Sequence, residues 1–277
     1  MKHRDVLSEV TPIPEPIDTV LGRKLSPRAR RFVAEHADFL VRVEFMDIAD
    51  HPHAYIRSTE AYHACTGTHH TIWLHRKSPD IESLVMHETM RGILMERGFP
   101  KTTRHPSAAS CPCLPVRHLS SLLSSALIDP IIDGHLVQGG FGVYDRKVLS
   151  RRAMAQAWLD AREGPGSPYG YLFCKWTLFT VLLMLDPTFE GAAVDLLHTM
   201  IRTKFTESWE LGEVLSKVIK GKGFTEPDLA LTAMLELRSA LRLEESIVIV
   251  DADGIRWKLG CHAHTQKGGR PYEEGCA

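Results

Sequence analysis

The sequence predicts an α+β, predominantly helical fold: a small sheet packed on one buried helix, then a helical half closed by a C-terminal β-hairpin. Three observations predict it. A β-branched and aromatic run, His69 to His75, leads within a few residues into a helix-length apolar stretch. Helical periodicity then runs almost unbroken from Arg146 to Leu243. Finally, the apolar segments Ile247–Val250 and Ile255–Leu259 flank Asp251, Ala252, Asp253 and Gly254, with glycine where a hairpin turns. A chain of 277 residues can bury one large or two modest cores.

Residues 1–24, with Pro12, Pro14 and Pro16 in alternation, read as an extended arm. Residues 25–145 read as the α+β core. Ser26 caps and Pro27 opens a helix to about Leu40, because proline lacks only an N–H that the first turn leaves unbonded anyway. Arg28, Arg30 and Arg31 lie early in it, as a solvated face or a phosphate contact. Phe39 to Ile48 alternates as a strand does. Residues 50–70 form a His-rich connection, turning at Gly67, before the strand at 69–75.

The central helix follows. Ser78 suits its cap, Pro79 its first position, and Asp80 and Glu82 complement the dipole of the first turn. Gly98 suits the left-handed position past its end, and Pro100 stops continuation. Ile81, Leu84, Val85, Met86, Met90 and Ile93 spread around the circumference, the pattern of a largely buried helix. Lys101 to Arg117, with Pro106, Pro112 and Pro115, reads as a loop. From Leu119 to Gln138 a second apolar face recurs. Pro130 either kinks one long helix, placing Asp129 and Asp133 on one face, or starts a new helix capped by Asp129 with Asp133 at the surface. Gly139, Gly140 and Phe141 end the element.

Residues 146–260 read as helices over about 147–163, 170–185, 188–204, 208–220 and 227–243, then the hairpin. Lys175, inside an apolar stripe, is read as snorkelling. Asp251, Asp253 and Gly254 lack the downstream glutamate of a calcium loop and read as a plain turn. Residues 261–277 read as a flexible tail.

The chemistry centres on His87, Glu88 and Arg91. In His-Glu-x-x-His, two histidines one turn apart bind zinc and the glutamate activates the metal-bound water. Here Arg91 holds the second histidine's place, and a guanidinium has only donors to offer. The buried charges must then be paired, since an unpaired one is costly. A net charge of −1 and a pI of about 6.9 give no general attraction to nucleic acid or anionic membrane. The N-terminus shows no apolar leader region and the longest apolar run, Trp176 to Leu185, is too short to span a bilayer, so a cytoplasmic protein is expected. Six cysteines are scattered without a disulfide-scaffold spacing, and Cys111 with Cys113, and Cys261 with His264, read as thiols and loop residues ahead of soft metal ligands.

From about His70 to Tyr144, strand, short polar turn and His-Glu helix resemble the zincin-like metallopeptidases of the ImmA/IrrE-related type. The resemblance implies a zinc-dependent hydrolase of peptide bonds. His87 and Asp129 or Asp133 would hold zinc, with His135 or a histidine of residues 63–70 replacing the missing ligand. Glu88 would activate water, and Arg91 would orient a carboxylate or stabilise oxyanion charge. The alternative is a catalytically inactive relative in which Arg91 replaces the metal and the fold serves to bind or regulate a peptide or protein partner. A nucleic-acid regulator resting on Arg28, Arg30 and Arg31 is a third class, which the near-zero net charge disfavours.

Overall fold

A computed structural model describes residue 17 and residues 25–52, 54–57, 61–66, 68–78, 81–104, 114–141, 170–186, 188, 192–251 and 256–257. The expected arm apart from residue 17, the helix at 147–163, the cysteines at 111 and 113, the turn at Asp253 and the tail lie outside them. The described residues form a predominantly helical α+β protein with two small sheets. The chain divides into two compact units, Met1–Gly92 and Ile93–Ala277.

The first unit opens with α1 (Pro27–Glu35). Ser26 Oγ accepts from Ala29 N at 3.1 Å, and Pro27 occupies the first turn. The expected run to Leu40 is broken: the His36 N–H closes on Phe32 O, and a separate α2 covers Ala37–Leu40. Strand β1 is therefore confined to Val43–Asp47. The alternation read from Phe39 mixed the buried Phe39 with Val41, which is 82% exposed. A 3₁₀ turn (Ile48–Asp50) and α3 (Ala54–Arg57) follow. The segment expected as a His-rich connection then contains a strand, β2 (Ala61–Thr66), which pairs antiparallel with β3 (His69–Leu74). Strand β3 also pairs in parallel with β1, giving the order β1-β3-β2.

Helix α4 (Ile81–Glu96) begins in the first unit and passes into the second after Gly92. Its N-terminal turn is tied to α1, where Glu82 Oε1 accepts from Ser26 N at 2.8 Å. Its C-terminus ends as expected. Gly98 takes φ +93°, Gly98 N bonds Met95 O and Phe99 N bonds Leu94 O, which satisfies carbonyls the last turn leaves open.

In the second unit, β4 (Lys101–Arg104) lies inside the expected loop and pairs with β5 (Ile247–Val250). Strand β5 in turn pairs with β6 (Arg256–Trp257), so the expected hairpin is part of a three-stranded antiparallel sheet, order β4-β5-β6. Helix α5 (Leu114–Gln138) runs unbroken through Pro130, and closes at Gly140 (φ +78°) with Phe141 N bonded to Leu136 O. Helices α6 (Tyr171–Leu185), α7 (Ala192–Lys204), α8 (Thr206–Lys222) and α9 (Pro227–Ala240) complete it. α6 is apolar all round and is the core helix, packed on α5 and α8. No helix among the described residues is long and apolar enough to cross a membrane.

Candidate functional site

The side chains singled out by the sequence fall into two places. His87, Glu88 and Arg91 lie in the first unit, on consecutive turns of α4. Asp129, Asp133 and His135 lie in the second, on α5.

On α4 the helical repeat aims His87 and Arg91 at Glu88 from either side. The His87 Nδ1–H donates to Glu88 Oε1 at 3.2 Å, and Arg91 Nε pairs with Glu88 Oε2 at 3.2 Å. Both carboxylate oxygens are thus engaged by the helix that carries them. Glu88 is only 8% exposed. Burial raises its pKa, but the Arg91 charge, the His87 hydrogen bond and the His87 and His63 charges together outweigh burial and hold it at about 2.

His63 belongs to a cluster that the sequence reading did not resolve. In the antiparallel register Cys65 stands opposite His70, and His63 opposite Ile72, so His63, Cys65 and His70 share one face. His63 Nε2 and His70 Nδ1 share a hydrogen bond of 2.9 Å, with their rings parallel to within 5°. Cys65 Sγ lies 4.0 Å from His70 Nε2. His70 is 1% exposed and also meets the Phe39 ring, 4.8 Å centroid to centroid. Helix α4 comes close to this face because of Gly92: a Cβ there would strike the Phe39 ring tip and sit 3.3 Å from His63 Nε2. The only sequence signal for the cluster was the density of histidines before the central helix.

On α5 the continuous helix removes the alternative in which Asp129 is a cap and Asp133 a surface charge. Asp129 is buried and Asp133 is 0% exposed. His135 points elsewhere. It is exposed and lines a cleft of about 620 Å³ with Arg97, Phe99, Ile131, Gln138 and Glu226. The cleft lies wholly within the second unit.

The donor set at α4 does not fit a zinc ion of the His-Glu-x-x-His kind. Arg91 stands where the second imidazole would be, paired with Glu88, and a guanidinium has no lone pair to give a metal. Among the described residues, no three His, Cys, Asp or Glu side chains gather in an arrangement able to hold a metal ion. The chain matches no protein-family model, no curated protein and no solved structure. What the α4 site offers chemically is a buried, ionised carboxylate clamped between a guanidinium and an imidazole.

Proposed function

We propose that the protein is a catalytically inactive, zincin-like binding module, with Arg91 replacing the metal and a peptide or protein as its partner. The observation that carries this reading is the closed state of Glu88. A general base for hydrolysis takes up a proton, whereas protonating Glu88 would give up its pairing with His87 on one oxygen and Arg91 on the other. A carboxylate held at a pKa of about 2 is also a poor proton acceptor at neutral pH. Strand β3 followed by the His-Glu helix α4 supports the zincin-like part of the reading.

Elemental analysis of purified protein, wild type beside His87→Ala and Arg91→His, tests it. Wild type should carry no stoichiometric metal, and His87→Ala should leave the metal content unchanged. Arg91→His should restore a pair of imidazoles one turn apart and gain zinc affinity. About one zinc per wild-type chain, lost in His87→Ala, would overturn the inactive reading in favour of a zinc peptidase. An Arg91→His protein that is folded yet gains no zinc would overturn the zincin-like placement of α4.

A further inference from the structure

We propose that the cleft of the second unit binds a short apolar peptide with free ends, its carboxylate on Arg97 and its ammonium on Glu226. The inference goes beyond the reading of α4. It uses neither Glu88 nor the two side chains that clamp it, so the two readings can fail separately.

Three parts of the fold build the cleft. Arg97 and Phe99 flank Gly98, the left-handed residue that ends α4. Ile131, Gly134 and Gln138 follow one another along a single face of α5. Phe224 and Glu226 come from the turn between α8 and α9. The space between them, about 620 Å³, lies in the range of small-ligand sites. From Ile131 to Gln138 the α5 wall rises about 10 Å at 1.5 Å per residue, which is the reach of about three extended residues. A free amino acid would leave most of that wall bare.

The floor of the cleft is apolar. Phe99, Ile131 and Leu185 are buried there, and Phe224 is half-buried. Gly134 places no side chain in front of the α5 wall, so a ligand backbone can come close to it. Apolar side chains of a ligand gain by leaving water on such a floor.

The rim sets which end goes where. Arg97 and Glu226 are both exposed, and among the described residues neither makes an ion pair or a side-chain hydrogen bond. They line one cleft with opposite charges and do not pair with each other. A ligand of a single charge would meet one favourable and one unfavourable group, whereas a zwitterion satisfies both. The guanidinium offers a fork of donors to a carboxylate, and the Glu226 carboxylate accepts from an ammonium. Between the charged ends, the Gln138 amide supplies a donor and an acceptor, the complement of a peptide unit's carbonyl and N–H.

Trileucine is the probe, beside its C-amidated and N-acetylated forms. Isothermal titration calorimetry reads their binding to the full chain as wild type, Arg97→Gln and Glu226→Gln. Both substitutions fall at exposed positions, and circular dichroism checks that the fold is kept. Wild type should bind trileucine and lose about fivefold or more in affinity when either end is capped, the worth of one charged contact at a rim. Arg97→Gln should bind the free and the amidated peptide alike, yet still discriminate against acetylation. Glu226→Gln should show the reverse. That crossed pattern ties each peptide end to one side chain, which a general loss of structure cannot do. The proposal is overturned if wild type does not bind trileucine at millimolar concentration. It is equally overturned if capping an end weakens binding to the matching variant as much as to wild type. The metal content of the His87 and Arg91 variants bears on α4 alone, so neither experiment decides the other.

Discussion

Burial alone would keep the Glu88 carboxyl protonated above its ordinary range. Its low value means that the ionised form binds its surroundings better in the folded chain than in the unfolded one. The resulting stabilisation is complete above the ordinary carboxyl value of 4.5 and is lost as pH falls towards about 2. Its full size is on the order of 3 kcal/mol. Between pH 7 and pH 3 the wild type should therefore lose roughly 2 kcal/mol more stability than Glu88→Gln, read as the difference in urea unfolding between the two proteins. Equal losses in both proteins would mean that the Glu88 pairing does not persist in solution. His87, Glu88 and Arg91 were legible in the sequence because they are neighbours on one helix, where spacing alone fixes who meets whom. His63, Cys65 and His70 were not, since their meeting depends on a cross-strand register. Strand β2 itself was hidden: Ala61, Tyr62, His63, Ala64, Cys65 and Thr66 show no alternation of apolar and polar residues.

Helix packing in the second unit turns on small residues. A Cβ at Gly212 of α8 would lie 2.7 Å from Thr180 Cβ and Cγ2 and 3.1 Å from Thr177 O, all on α6. Both threonines are buried and fold their hydroxyls back onto their own helix, Thr177 Oγ1 to Phe173 O and Thr180 Oγ1 to Trp176 O, each at 2.9 Å. Their methyl groups are left for the crossing. Alanine would raise intrinsic helix propensity by about 1 kcal/mol at this position, yet the close approach leaves it no room. Gly212→Ala should therefore destabilise the protein by about 1–3 kcal/mol, measured by thermal or urea unfolding, whereas at Gly221, with open space around its Cα, the same change should be neutral or stabilising. At this scale the sequence was most informative about helices ended by specific residues, such as α4 at Gly98 and α5 at Gly140. It was least informative where one pattern served two elements, as between Ala37 and Asp47, where a short helix and a strand share what looked like one alternation.

For the whole molecule, the predominantly helical α+β class followed from the sequence because long apolar periodicities are a local property of the chain. The division into units did not. The boundary falls at Gly92, inside an uninterrupted helix with no proline or linker to mark it. The pairing of β4 with β5 was equally hidden, since it joins Lys101 to Val250 across most of the second unit. Contacts of that sequence separation leave no short-range trace.

The passage of α4 from one unit to the other bears on how the chain can be taken apart. Cutting after Gly92 would leave one fragment with most of a helix that has lost its left-handed stop at Gly98. The other would start with a few residues too short to nucleate a turn on their own. Neither fragment should be a self-sufficient building block. In native-state hydrogen exchange the amides of Val85 to Leu94 should be among the slowest of the chain, because most of these residues are buried along one continuous helix. Exchange of these amides well before the rest of the core would show that the helix opens on its own.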